Sequence, residues 1–242
     1  MNYQTLVKDI VSWMRDYAKN AGTEGFVFGL SGGIDSAVIA ALSKKAFPDH
    51  SLGLIMPCES MDKDREDALK IAQAIDLKVE EVDLTDTFHE LIKVTFEGKS
   101  QLAKSNIKPR LRMTTLYYYG QELNYLIVGP SNASEWYVGY STKYGDSGAD
   151  LFPILQLVKS EVVELAQALG LPQFVLDKKP SAGLWVGQTD EEEMGFSYDV
   201  LDQYILGIQE PDPAVKARID HMHKASAHKR KMAPQFKVDR KK

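Results

Sequence analysis

The sequence predicts an α/β fold, an open, doubly wound parallel sheet flanked by helices on both faces. Three observations carry that prediction. Short apolar runs alternate with segments of helical periodicity through the first half of the chain, and strands separated by helices pair in parallel. The first of these runs ends in Ser31-Gly-Gly-Ile-Asp-Ser36, a loop of small residues that opens directly into a helical pattern. The chain has 242 residues, 44% apolar and 26% charged, enough to bury a full core and too apolar for a disordered chain.

Taken in order, residues 3–21 form an amphipathic helix with Leu6, Ile10, Met14, Tyr17 and Ala18 at helical spacing. Residues 25–30 are a short apolar run bounded by glycine, the pattern of a buried strand. Residues 37–46 form a helix stopped by Pro48, residues 51–56 a second strand, and residues 62–75 a helix with apolar Ala68, Leu69, Ile71 and Ala72. Residues 79–82 and 126–128 give two more strands, the last reached through a helical insertion at about 99–122. Glycine-rich loops follow, then a helix at about 158–169, an irregular stretch at 176–190 and further helices from 191 to about 224. No repeat, low-complexity linker or composition break marks a second domain. Residues 1–242 are expected to form one domain ending in a basic tail at about 221–242.

The net charge is −5, from 29 Lys and Arg against 34 Asp and Glu. Residues 221–242 hold eight Lys or Arg and the single acid Asp239, leaving 21 bases against 33 acids in residues 1–220. An acidic body argues against a dedicated nucleic-acid binder. Cys58 is the only cysteine, so no disulfide forms within the chain. The start lacks the apolar region of a signal peptide and no apolar run approaches the length of a membrane span, so a cytoplasmic protein without membrane association is expected. Asn132-Ala-Ser134 matches a glycosylation sequon, a match without meaning for a chain that is not exported.

A strand feeding Ser-Gly-Gly-x-Asp-Ser and then a helix brings backbone N–H groups and a helix N-terminus to one point, a ready anion site. Asp35 distinguishes this loop. A carboxylate in a phosphate cradle repels the ligand unless a divalent cation lies between them, so Asp35 implies Mg²⁺. The alternative is that Ser31 and Asp35 merely cap the helix that follows. Two other nucleotide motifs are absent. Gly98-Lys-Ser100 resembles the end of a Walker A loop, but Lys93 stands where its first glycine belongs, and no G-x-G-x-x-G follows the first strand.

Phe28-Gly-Leu-Ser-Gly-Gly-Ile-Asp-Ser36 resembles the pyrophosphatase loop of the adenylating family that includes NAD synthetases, GMP synthetases, asparagine synthetases and certain tRNA-modifying enzymes. Four further segments, in the same order, resemble NAD synthetases, as does His228-Lys-Arg230 in the tail. The resemblance implies an adenine nucleotide alpha hydrolase-like version of the predicted fold. It places Gly29, Ser31, Gly32, Gly33, Ile34, Asp35 and Ser36 at ATP.

The first of the four segments runs from Lys104 to Met113 and on to Tyr117. Pro109 suits a first helical turn, after which Arg110, Met113 or Thr114, and Tyr117 share a face able to hold a nicotinate ring and its charges. The alternative is a solvated face for Arg110 and Arg112 with Tyr117 to Tyr119 packed in a core or interface, and for Arg112, Tyr118 and Tyr119 that alternative is preferred. In the family this helix also builds a subunit interface, which implies a homodimer. The second segment, Val128-Gly-Pro-Ser-Asn-Ala-Ser-Glu135, lies at the carboxyl edge of the sheet, where ligands bind in open α/β folds. By resemblance Glu135 is a second Mg²⁺ ligand, and Pro130 occupies an ATP-contact position where the family usually has Thr, with Ser131 beside it.

The third segment, residues 139–150, is too rich in glycine and polar residues for regular structure and reads as a site loop. The resemblance assigns Lys143 and Asp146 to the deamido-NAD pocket and places Lys159, on the next helix, at the ATP phosphates. The fourth, residues 178–193, mixes cations, glycines and Trp185, a composition able to order over ligands as a lid. By resemblance Ser181 contacts ATP. Thr189 with Glu192 fits a capping box, so Asp190 to Glu193 read as a helix start rather than a metal site. His228 and Lys229 fold back onto the substrate by resemblance, against the alternative of a solvated tail.

The implied reaction is ATP-dependent amidation of deamido-NAD with ammonia through an adenylated acyl intermediate, releasing AMP and pyrophosphate. Asp35, Glu135, Asp146 and Lys159 are expected to carry it by charge neutralisation and alignment, without a covalent nucleophile, and Asp146 is a candidate to deprotonate ammonium. Relatives that use glutamine carry an additional amidase domain for which 242 residues leave no room, so free ammonia, or a separate amidase subunit, is the expected nitrogen source. Two other readings are a tRNA-modifying or GMP-forming adenylase, against which stands the lack of a CxxC pair, and a nucleotide sensor without activity, supported only by Pro130.

Overall fold

Four parallel strands form the sheet, in the order β3-β2-β1-β4: β1 is Gly25–Gly29, β2 Ser51–Ile55, β3 Lys78–Glu81 and β4 Tyr125–Ile127. The structure, a computed structural model, describes residues 1–96, 98–180 and 189–240. Phe26 pairs with Ser51 on one side and Leu126 on the other, so β1 is central. Its residues are apolar without alternation because both faces are covered. Phe26 and Phe28 pack into one layer and Val27 into the other.

The first layer holds α1 (Tyr3–Ala21), α2 (Ile34–Ala46), α3 (Asp62–Ala74) and, from further along the chain, Lys159–Leu169. The Asn2 side chain accepts from Thr5 N and starts α1. The second layer holds α4 (Thr85–Val94), α5 (Gln101–Ser105) and α6 (Ile107–Leu123). The expected insertion at 99–122 is thus α5 and α6, and α4 is a helix that the sequence reading does not contain. After β4 come α7 (Ala133–Val138), α8 (Lys159–Leu169), α9 (Gln173–Leu176), α10 (Asp190–Met194), α11 (Tyr198–Ile205) and α12 (Pro213–Ala225). Parts of α7, α10, α11 and α12 enclose a third, smaller core of Val138, Met194, Phe196, Tyr198, Leu201 and Ile219.

Strand order reverses between β1 and β4, because β2 and β3 lie on one side of β1 and β4 on the other. Open α/β sheets bind ligands at the carboxyl edge of such a switch point. The segments leaving β1 and β4 there are the 30–36 loop and the 128–135 segment.

Candidate active site

The expected helix after β1 begins earlier than its sequence pattern indicates. Gly33 is the N-cap of α2 and makes no side-chain cap, so Asp35 lies in the first turn and neither Ser31 nor Asp35 caps the helix. The loop is held by its own hydroxyls. Ser36 Oγ donates to Gly33 O at 2.9 Å and accepts from Ser31 N at 3.2 Å, and the Ser31 and Ser36 hydroxyls lie 3.1 Å apart. Gly32 adopts φ +80°, and a Cβ there would come within 2.6 Å of Asp64 O, so only glycine fits this turn.

The Asp35 carboxyl has two partners from elements distant in sequence. Asn132 Nδ2 donates to Asp35 Oδ1 at 2.9 Å, while Asn132 Oδ1 accepts from Glu135 N and caps α7. Lys159 Nζ donates to Asp35 Oδ2 at 2.5 Å and to Glu135 Oε1 at 3.2 Å. Two carboxylates from two strand ends therefore converge on one ammonium, which is buried at 6% exposure. Tyr198 donates to Asp190 Oδ2 at 3.0 Å and to Glu135 Oε1 at 3.4 Å, and the Lys159 ammonium stands 5.0 Å from its ring centroid.

Acids outnumber bases in this cluster. Burial first, and then Asp35 and Asp190, push Glu135 up to about 7 against the pull of Lys159. Burial alone would lower Lys159, but Asp35 and Glu135 outweigh it and hold the ammonium above the usual lysine range. Burial and the surrounding acids keep the Tyr198 phenol protonated. A buried carboxylate positions Lys159 from behind. Asp202 accepts from Ser134 Oγ at 2.5 Å and from Ser160 N at 2.7 Å, and Ser134 Oγ accepts from Lys159 N at 2.9 Å.

One cavity of about 990 Å³ contains this cluster, the loop, and a second group of charges around the 139–146 loop. Arg110, Lys143, Asp146, His228 and Lys229 line its other half. Arg110 Nε donates to Lys143 O at 3.2 Å, and Asp146 Oδ1 accepts from Thr142 N at 2.8 Å. Burial raises the Asp146 carboxyl in spite of that hydrogen bond. Lys229 Nζ donates to Gly139 O at 2.6 Å and Ser141 O at 2.5 Å, so the basic tail does fold back.

Among the residues expected at the site, Gly29, Ser31, Gly33, Ile34, Asp35, Ser36, Pro130, Glu135 and Lys159 also line this cavity. Two of the described ones do not. Gly32 turns away toward α3 and supplies the bend instead. Tyr117 does not line the cavity; its hydroxyl donates to Asp150 Oδ1 at 3.3 Å, and Asp150 Oδ2 accepts from Ile127 N. Burial and Asp150 push that phenol up to about 12. Ser181 and Trp185, with most of the expected lid, lie outside the described residues.

The α6 residues that line the cavity are Pro109, Arg110, Arg112, Met113 and Leu116, so Arg110 and Met113 of the expected face are there and Tyr117 is not. Arg112 is therefore not on a solvated face. The capping box also fails: Thr189 makes no side-chain cap, and Asp190 is buried against Tyr198. The sequence reading does not single out Asn132 and Tyr198 as site residues, and it places Arg112 and Asp190 on a solvated face and at a helix start. A signal existed for Asn132, one residue type that can cap α7 and donate to an acid at the same time.

Fold and loop define the class of the molecule, an α/β protein of the adenine nucleotide alpha hydrolase-like fold. The chain belongs to the NAD synthase family, whose model matches residues 6–233. It is 52% identical to the NH(3)-dependent NAD(+) synthetase of Finegoldia magna, with 99% of each chain covered, and 46% identical to that of Alkaliphilus oremlandii, with 98% of each covered. Among solved structures it is similar to the NMN synthetase from Francisella tularensis, with TM-score 0.95 and 39% identity over 98% of this chain and 100% of that one. It is also similar to the NH3-dependent NAD synthetase from Campylobacter jejuni in complex with the nitrate ion, with TM-score 0.82 and 31% identity over 98% and 100%.

Proposed function

We propose that this chain is a C–N ligase that joins ammonia to the nicotinate carboxylate of deamido-NAD with ATP, releasing AMP and pyrophosphate. The observation that carries the reading is the convergence of Asp35 and Glu135 on one cationic atom at the open end of the 31–36 loop. The cavity volume lies at the top of the range for small-molecule sites, which suits two nucleotide ligands together. In the first step a substrate carboxylate oxygen attacks the α-phosphorus and the bond to the β-phosphate breaks. The loop amides and Lys159 hold the departing pyrophosphate, with Pro130 and Ser181 at the nucleotide. In the second step neutral ammonia attacks the acyl carbon and AMP leaves.

Arg110, Lys143, Asp146, His228 and Lys229 hold deamido-NAD, and Asp146 is placed to take a proton from ammonium because burial has already raised its basicity. Asp35 and Glu135 fit Mg²⁺, which takes one or two carboxylates together with phosphate oxygens. Held by Asp35 and Glu135, a divalent cation would supply charge that neutralises the triphosphate.

The chain works as one synthetase domain, cytoplasmic and homodimeric. The exposed Leu91, Val94, Phe96, Leu102 and Tyr118 around α4 to α6 support a covered interface, and among the described residues no helix is long and apolar enough to cross a membrane. Ammonia is free or delivered by a separate amidase subunit. The tRNA-modifying, GMP-forming and sensor readings are not favoured by relatives that carry NAD or NMN synthetase names. One observation does favour a second reading, with nicotinate mononucleotide as the acceptor: the TM-score of 0.95 to an NMN synthetase. Incubation with ATP, Mg²⁺ and ammonium and either acceptor, followed by chromatography of the amidated products, tests both. A higher kcat/KM for deamido-NAD supports the first reading; a higher value for the mononucleotide replaces it.

A further inference from the structure

Arg112 is a half-buried charge with no acid in direct contact. Its Nε donates to Met56 O at 3.0 Å and its Nη2 to Ser60 Oγ at 3.1 Å. Among the described residues no carboxylate oxygen lies within 4.0 Å of its guanidinium and nothing accepts from Nη1. Arg112 is only partly exposed, and it lines the cavity. Burial lowers its pKa in spite of Asp146 and Asp64 further off. A cation taken out of water requires an opposite charge, and here the protein supplies only neutral acceptors.

The position of Arg112 indicates which charge is missing. Along α6, Gly120 packs on Tyr125 and Ile127 near the start of β4, Leu116 reaches the position of a Cβ on Gly29 at the end of β1, and Arg112 reaches Met56 just beyond β2. The helix climbs toward the carboxyl edge as its numbers fall. Arg112 is one turn, about 5.4 Å, above the contact with the residue that leads into the phosphate loop. Two other cations near the loop are already paired: Lys159 with Asp35 and Glu135, and Lys178 with Asp64 at 2.8 Å and Asp67 at 2.9 Å. On the deamido-NAD side, Arg110, Lys143 and Lys229 already supply positive charge.

We propose that Arg112 is an ATP-binding residue whose free guanidinium edge pairs with a phosphate oxygen of the nucleotide held by the 31–36 loop. The proposal rests on the ligase reading for the identity of the nucleotide, and the test separates the two. Titration calorimetry on the full chain measures α,β-methylene-ATP with Mg²⁺, inorganic pyrophosphate, and adenosine, for the wild type, Arg112→Gln and Arg112→Lys. A charge-assisted hydrogen bond is lost in the Gln variant, so its affinity for both phosphate ligands falls about ten- to a hundredfold while adenosine changes less than about twofold. Arg112→Lys recovers part of the loss, and KM for deamido-NAD stays within about twofold in both. If Arg112→Gln does not fold, Arg112→Lys decides, with pyrophosphate weakened about three- to tenfold expected and unchanged affinity overturning the proposal. Equal losses for adenosine and pyrophosphate overturn it too, since the residue then acts only through Met56 and Ser60. A wild type that forms NAD while the variants bind pyrophosphate normally leaves the ligase reading standing without this assignment; a wild type that forms no NAD yet loses pyrophosphate with Arg112→Gln does the reverse.

Discussion

Replacing Lys159 with Met removes the one ammonium shared by Asp35 and Glu135 at 2.5 and 3.2 Å. Two unit charges about 5 Å apart at an effective dielectric of about 20 repel by roughly 3 kcal/mol, and removing one partner of a buried ion pair costs about 3–5 kcal/mol. The variant relieves part of this by keeping Glu135 protonated. That carboxyl already stands at about 7 in the wild type against an ordinary 4.5, and losing Lys159 moves it higher. A carboxyl raised in the folded state takes up a proton on folding, so stability falls as pH rises through the folded value. Below about pH 7 both proteins hold the proton and the deficit is at its smallest. Above it the wild type has released the proton while the variant has not, and the deficit widens by up to about 1.4 kcal/mol per pH unit until the variant's own value is passed. Urea midpoints at pH 6 and pH 8.5 measure this directly. The expected deficit reaches about 3–5 kcal/mol at pH 8.5 and is smaller at pH 6, and adding Glu135→Gln recovers at least half. A deficit equal at both pH values, or none at pH 8.5, refutes the electrostatic account of the cluster.

Asp35→Asn and Glu135→Gln each lower pyrophosphate release by more than about a hundredfold while circular dichroism stays native, because each removes a charge offered to the ligand and one partner of Lys159 but leaves the apolar cores untouched; turnover retained in both removes these residues from the mechanism. Gly32→Ala forces a side chain into φ +80° and against Asp64 O, at a cost of about 1–3 kcal/mol, and weakens nucleotide binding at least tenfold by calorimetry. Asp202→Asn turns an amide N–H₂ toward either Ser134 or Ser160 N; denaturation shows a loss of about 1–3 kcal/mol, and kcat falls more than KM for ATP as Lys159 loses its anchor.

The strands and the loop were legible because each depends on short-range chemistry. An apolar run between glycines has few places to go other than a buried strand, and Ser-Gly-Gly-x-Asp-Ser keeps its turn wherever it occurs. The α4 helix was missed although its pattern was present: Leu84, Phe88 and Ile92 recur at helical spacing and pack into the second layer. For α6 the helix was legible and its orientation was not. Arginines, tyrosines and leucines occur all around this helix, and the face toward the cavity is chosen by Gly120 and Leu116 packing on the sheet. The face so chosen brings Arg112 to the cavity beside Arg110 and leaves Tyr117 off it.

The tail shows why composition misjudges charges that act at a distance. Eight bases in the last 22 residues read as solvated, yet Arg230 Nη1 donates to Trp136 O at 3.2 Å and Tyr137 O at 2.9 Å, the carbonyls that end α7. A cation at a helix C-terminus satisfies orphan carbonyls and favours the dipole, and one from more than ninety residues away serves as well as a local cap. Lys229 does the same for the loop that follows, and burial lowers its pKa as it does for Arg230. These two side chains set the backbone on which Tyr140, Thr142 and Asp146 enter the cavity. Lys229 and Arg230 of the tail thus act on the walls of the site through neutral carbonyls, a role that net charge along the sequence cannot express.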